Sequence, residues 1–378
     1  GGLKKGREDV NRVMGLLDLQ RDEPRLRELT SRRTIASLPF AGRYRIIDFP
    51  LSSMVNSGIQ NVGVLLPEQS RSVLDHLRSG KDWGLARHHK GLFYLPPVPP
   101  EDGQPAGDLR NVYYNLDFIE NSNENYVLFV RVNAVYNMDF RTVLRFHQNT
   151  GADITMVVSP ARCDDRADSI VVRKAANGLV EDISLRPSVT KGDPRSLGIY
   201  LMEKKRFIQL VRDAFEHGGK DFRRDVIVPA AGKNTIYACE HGGFSSRIRS
   251  LRGFYKANMA MLEPAIWEEM FLRQGAAVFT KVKDMPPVRY KEGAKVTNSL
   301  IANGCEIYGQ VENSILFRGV RVAPGALVRN SIIMQKSEVQ EFAQLDCVIC
   351  DKNVVVTPEK ALRGAATYPI LVGKQAVV

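Results

Sequence analysis

The stretch "NSLIANGCEIYGQVENSILFRGVRVAPGALVRNSIIMQKSEVQEFAQLDCVIC", residues 298–350, repeats itself. The tetrad NSLI at Asn298 returns as NSIL at Asn313, as NSII at Asn330 and, more loosely, as DCVI at Asp346. Inside these steps aliphatic residues recur every six positions: Ile301 and Ile307; Leu316, Val322 and Val328; Ile333, Val339 and Leu345. A generic β-rich domain would explain strands but not that period. Six-residue recurrence with small residues between predicts a triangular parallel β-helix, with one aliphatic per face turned inward and Gly or Asn at the corners.

Upstream, the Pro-rich break "KDMPPVRY" (283–290) separates this tail from a chain of different character. There, short β-branched runs alternate with helical patterns. Strands are expected at "NVGVLL", "YVLFVRV", "ITMVVS", "SIVVRK", "LVEDISL" and "LGIYLM", and helices at "SRSVLDHLRSG", "FRTVLRFHQNT" and "KKRFIQLVRDAFEHG". Strand followed by helix, repeated, implies an α/β domain with a mainly parallel sheet, whose ligands sit at the carboxyl ends of strands. The segment "LPPVPPEDGQPAGDL" reads as a long surface loop. The expected division is an α/β domain at 1–258, a helical and Pro-rich linker at 259–289 and a β-helix at 290–378.

Composition narrows the class. A chain of 378 residues with 44% hydrophobic and 25% charged residues suits a globular protein of two domains. No apolar run approaches a membrane span, and "GGLKKGREDVNR" lacks the apolar core of a signal peptide, so no membrane association is expected. Five scattered cysteines suit a reducing cytoplasm. The Cys347-x-x-Cys350 pair lacks the four ligands of a structural zinc site and lies in an apolar stretch, which favours core packing. The net charge of +11 raises nucleic acid as a partner. Basic residues are interleaved with acidic ones, however, and no binding motif accompanies them, so nucleic acid is not expected. The dense cluster "RLRELTSRRT", with Arg43 and Arg45 beyond, is either a solvated face or an anion pocket. His88 and His89 are adjacent and have no third ligand at metal spacing, so they are read as loop residues.

The run "LTSRRTIASLPFAGRYRIIDFPLSSMVNSGI", followed by "SGKDWGL", "LPP", "YNLDF", "VYNMDF", "SLGIY", "DFRRDVIVP" and "GFYKAN", resembles the bacterial glucose-1-phosphate adenylyltransferase family. The likeness covers nearly the whole chain in order. It implies a Rossmann-like nucleotidyltransferase domain followed by a left-handed parallel β-helix that helps assemble tetramers. In that family ATP and glucose 1-phosphate become ADP-glucose, the glycogen precursor.

Compared position by position, the family's chemistry is eroded. The phosphate loop G-G-x-G-T-R corresponds to Gln20, Arg21, Asp22, Glu23, Pro24 and Arg25, where carboxylates face phosphate and Pro24 removes an N–H donor. The lysine of R-A-K-P falls on Ile35, the adenine-contacting glutamine on Pro67, and the G-T-x-D-A block on "GDLRN" (107–111), of which Gly107 survives. Family members hold Mg²⁺ with two Asp, because that ion needs hard anionic oxygens. Those positions align with Asn133 and Arg247, which shifts the local charge from about −2 to +1. Asp139 belongs to a scaffold motif rather than to the metal pair.

The sugar-phosphate end is less eroded, with Arg186, Ser196 and Gly198 as candidate remnants, although loop geometry alone also explains them. Family members bind anionic effectors through basic residues near the domain junction, and Arg32, Arg33 and Arg45 occupy the matching segment here. Loss of nucleotide and metal residues with retention of fold motifs resembles the non-catalytic GlgD-type subunits. The expectation is a cytoplasmic regulatory subunit that binds no cofactor itself, with Mg²⁺ confined to a catalytic partner in a hetero-tetramer. The rival is an active sugar-phosphate nucleotidyltransferase with diverged metal and ATP sites. A β-helix acyltransferase would need a catalytic His in the repeats, and none of the six His lies beyond residue 241.

Overall fold

The computed structural model describes residues 12–19, 24–87, 90–99, 107–160, 169–186 and 194–378. It divides into two compact units that do not follow the linear boundaries expected at 258 and 290. One gathers residues 1–21, 49–245 and 274–279; the other gathers 22–48, 246–273 and 280–378.

The first unit is built on a nine-stranded mixed sheet. Its strands are β1 (Val13–Asp18), β2 (Val62–Leu65), β3 (Leu92–Leu95), β4 (Tyr126–Arg131), β5 (Ile154–Ser159), β6 (Ser169–Lys174), β7 (Val180–Arg186), β8 (Arg195–Glu203) and β9 (Ile236–Glu240). The order runs β7-β6-β8-β4-β1-β2-β3, with β5 pairing both β8 and β9. β1 pairs in parallel with β2 and β4, and β2 with β3, while β8 runs antiparallel to β4 and β5. The central strand β1 is absent from the strands expected above. All its residues are buried, so it shows neither alternation nor a long β-branched run.

Helices α1 (Asp108–Tyr114), α2 (Phe140–Thr150) and α3 (Lys204–Glu216) cover this sheet. In α2, Phe140, Val143, Leu144 and His147 form one buried stripe at helical spacing. Asp139 caps it by accepting a hydrogen bond from Arg141 N, and Gly151 ends it with a φ of 62°. The aspartate of the NMDF motif is therefore a helix cap. The core joins Met14 and Leu16 of β1 to Phe129, Tyr200, Phe207 and Phe222.

The second unit contains the β-helix. Three five-stranded parallel sheets form its faces, one beginning with Arg289–Tyr290, one with Lys295–Thr297 and one with Leu300–Ile301. Ile307, Val322, Val339 and Val356 lie in register on the first face, and Val311, Val328, Leu345 and Leu362 on the second. The inward aliphatics form one core with Cys350 inside it, and the lone C-x-x-C is thus half core and half corner.

One corner explains the repeated Asn. Asn298, Asn313 and Asn330 have φ of 41°, 46° and 45°, a left-handed conformation that Asn tolerates better than most residues. Their amides form a ladder, Asn298 Nδ2 donating to Asn313 Oδ1 at 2.9 Å and Asn313 Nδ2 to Asn330 Oδ1 at 2.6 Å. In the next coil Ile332 pairs with Ile349 and Ile333 with Cys350, so Cys347, with a φ of 54°, takes the corner position. Asp346 only caps the ladder, accepting from Asn330 Nδ2 at 2.9 Å. The DCVI tetrad is thus one residue out of register with NSII. Segments 24–48 and 246–273 join this unit: Ala41 N donates to Asn258 Oδ1, Tyr44 stacks on Phe271, and Tyr255 Oη donates to Asn330 O.

Candidate functional site

In the first unit, β1 and β4 end side by side on charged residues, with Asp18 in register with Arg131. Asp108 opens α1, and Asp221 precedes the short turn of helix at Phe222–Ile227. These elements converge on Arg131. Its Nη2 lies 2.9 Å from Asp108, its Nε 3.6 Å from Asp18 and its Nη1 3.8 Å from Asp221, which also sits 3.8 Å from Arg223. Asp108 also accepts a hydrogen bond from Phe222 N at 2.9 Å. A cleft of about 330 Å³, lined in part by Pro67, Pro97, Asn111 and Lys220, opens onto this cluster.

Burial sets the electrostatics. Asp18, 3% exposed, has its pKa pushed up to about 7, chiefly by loss of solvent and then by repulsion from Asp108, against the pull of Arg131. Asp108 is raised for the same leading reason. Burial disfavours the charge on Arg131, but Asp108, Asp18 and Asp221 outweigh it and hold the guanidinium protonated. Arg131 is thus taken up by three carboxylates; of the other cations here, Arg223 leans on Asp221 and Arg224 on Asp225, while Lys220 lines the cleft.

Asn133 is 1% exposed and lies just before the strand Ala134–Tyr136, in the first unit; Arg247 ends the strand Ser245–Arg247, in the second. An amide and a guanidinium do not fit a hard divalent cation. Among the described residues no three His, Cys, Asp or Glu gather to hold a metal ion. Of the replaced phosphate loop, Pro24 opens Pro24–Thr30, two short helical turns broken at Arg27, while Gln20, Arg21, Asp22 and Glu23 lie outside the described residues, as do His88 and His89.

Ser196 and Gly198 sit in a β-bulge of β8, where the pairing with β5 shifts between Ser196 and Ile199. Gly198 has a φ of 75° and donates its N–H to Ser196 Oγ at 3.1 Å. A Cβ at Gly198 would stand 3.2 Å from Arg131 Cβ, so the SLGIY motif makes room for Arg131. Arg186 ends β7. Sequence reading missed Arg131 and its three carboxylates, although a charge closing an apolar strand beside Asn133 was a visible signal.

The three arginines expected at an effector site have different surroundings. Arg32 is exposed. Arg33 is 7% exposed and committed: its Nη2 lies 2.8 Å from both oxygens of Asp351 and its Nε donates to Leu29 O. Arg45 is half-buried and faces lysines of the β-helix unit. Lys352 has its pKa pushed down to about 7 by burial, then by Arg45 and Arg33, with Asp351 opposing. Lys283 is lowered by burial and by Arg45, Arg318, Lys281 and Lys336, and Arg318 by burial and Arg43. Mutual repulsion among neighbouring cations is relieved when an anion binds between them. Residues so far apart in sequence gave no linear sign of this gathering.

Comparison with known proteins agrees with the fold. The nucleotidyl transferase family model matches residues 24–262, and the GlmU-like C-terminal hexapeptide model matches residues 286–364. The chain is 34% identical over 365 residues to the glycogen biosynthesis protein GlgD of Bacillus subtilis, covering 96% of each. It is 36% identical to GlgD of Geobacillus stearothermophilus, covering 97% of each chain. With a glucose-1-phosphate adenylyltransferase of Clostridium beijerinckii it shares 30% identity, over 85% of this chain and 84% of the other. No helix among the described residues is long and apolar enough to cross a membrane.

Proposed function

The chain belongs to the nucleotidyl transferase family, in the group that includes GlgD and glucose-1-phosphate adenylyltransferases, and from that premise we propose that it is a regulatory subunit of ADP-glucose synthesis. It does not itself join ATP to glucose 1-phosphate. Its role is to assemble with a catalytic adenylyltransferase, as a hetero-tetramer, and to shift that partner between states of different activity through contacts that differ between them.

The observation that carries the reading is the content of the strand ends. Where the family places a phosphate cradle and a carboxylate pair for Mg²⁺, this chain has Asp18, Asp108 and Asp221 closed around Arg131, with Asn133 next to them. In such a cluster the carboxylates are engaged by Arg131 and Arg223, so neither a phosphate cradle nor a carboxylate pair set apart for the metal is formed. The basic gathering of Arg45, Lys283 and Lys352 supports the second half of the proposal, an anionic effector held on the β-helix unit.

The test is ADP-glucose formation from ATP, glucose 1-phosphate and Mg²⁺, by this chain alone, by a catalytic homologue, and by the two together. The chain alone is expected to be silent and the mixture to differ from the homologue in rate or effector response. Turnover by the isolated chain that survives repurification would overturn the proposal and make it an enzyme in its own right.

A further inference from the structure

Beside the edge strand β3, and within the first unit, a cleft of about 650 Å³ has no part in the chemistry above. Its volume lies in the range of small-ligand sites, about 300–1,000 Å³. One wall is aromatic. Phe93 on β3 is 37% exposed and Tyr114 at the end of α1 is 51% exposed, and Phe118 lies 5.3 Å from Phe93 between ring centroids. Arg110 lies over the Tyr114 ring, 5.4 Å from its centroid; aromatic surface left exposed, as on Phe93 and the rest of Tyr114, gains free energy when an apolar surface covers it.

The opposite side is polar. Glu124, 3% exposed, accepts a hydrogen bond from Asn61 Nδ2 at 2.9 Å and pairs with Lys90 at 3.0 Å. Asn61 Oδ1, buried, has no hydrogen-bond partner. At the rim, Asn121 and Asn123 expose their amides.

Charge selects the class of ligand. Lys90 is matched by Glu124 and Asp117 also lines the cleft, so there is no surplus cation with which to hold a phosphate, which argues against a nucleotide or a sugar phosphate. The lining disfavours an anion and suits a neutral ligand that turns apolar faces to the rings and hydroxyls to the amides and to Asp117. A pyranose does both, since its C–H faces are apolar and its vicinal hydroxyls each donate and accept, as an amide does. We propose that this cleft binds a neutral glucan chain, with Phe93 and Tyr114 stacking on sugar rings and Asn121 and Asn123 hydrogen-bonding their hydroxyls. The choice of a glucan rests on the reading of the chain as part of ADP-glucose synthesis, but not on its being the regulatory subunit.

The experiment uses the full-length protein with maltoheptaose in calorimetric titration and with glycogen cast into a native gel. Saturable heat and retardation are expected. Tyr114→Ala and the double substitution Asn121→Ala/Asn123→Ala are each expected to weaken binding by about tenfold or more, the loss of one stacking or hydrogen-bonding pair. Asn121 and Asn123 are exposed, so the double variant should keep its unfolding midpoint, whereas Tyr114→Ala also gives up ring contacts with Tyr113 and Phe215 and should unfold somewhat earlier; the mass in light scattering should be unchanged in both. No binding by the wild-type protein overturns the proposal, as does binding that these variants leave intact. A change in mass on substitution overturns it too, because it assigns the face to a protein neighbour.

Discussion

Asp18 is held in the fold against its own charge. Its carboxyl titrates at 3.8 in an unfolded chain but near 7 beside Asp108, with burial the larger cause and Arg131 only a partial offset. Between those values the folded state binds more protons than the unfolded one, so this residue makes stability fall as pH rises, until the full penalty is present above 7. Asp18→Asn removes the titration. It should gain stability over wild type at pH 8 relative to pH 5, by on the order of 2 kcal/mol. Urea unfolding at the two pH values checks this, and an equal difference at both would remove Asp18 as the titrating group. The site was only partly legible in sequence. Asn133 and Arg247 could be judged as residue types, because a metal pair tolerates neither. The cluster around Arg131 needed the fold, since Asp18, Asp108 and Asp221 are isolated carboxylates until β1, α1 and the turn at 221 bring them together.

Among the elements, the coil corners of the β-helix carry the most information per residue. Asn313 is doubly used there, as a left-handed residue with a φ of 46° and as the middle rung of an amide ladder. Asn313→Ala should lose about 1–2 kcal/mol from the backbone conformation, with the ladder's hydrogen bonds in addition. Asn313→Gly keeps the backbone permissive and loses only the ladder, so the expected order of stability is wild type, glycine variant, alanine variant. Urea midpoints at constant m-value measure that order, and alanine equal to glycine would show that the φ contributes nothing. The six-residue period was legible because every coil repeats the same geometry. The slip at Asp346 arose because side-chain chemistry and backbone position part company there: the carboxylate completes the ladder while Cys347 turns the corner. Strand β1 escaped for the opposite reason. A strand buried on both faces has no polar period to betray it, and Asp18 cuts its apolar run short.

At the scale of the whole molecule, the chain passes between its two units several times, so neither is a contiguous piece of sequence. The second unit includes residues 24–48, and one tie within it is the ion pair of Arg33 with Asp351, 318 positions apart and buried on both sides. Linear reading assigned Arg33 to ligand binding because its partner could not be seen across that distance. A buried pair broken on one side leaves an uncompensated charge, so Asp351→Asn should cost about 3–5 kcal/mol. The double substitution Arg33→Met/Asp351→Leu removes both charges and should cost less than either single change, since apolar contacts can replace a desolvated pair. Hydrogen exchange should show where the loss falls: in Asp351→Asn, protection should drop in 24–48 and in the coils around 337–354, and stay in β1 and β4. A double variant no more stable than the singles, or protection lost equally in both units, would mean that the pair is not what joins the 24–48 segment to the β-helix.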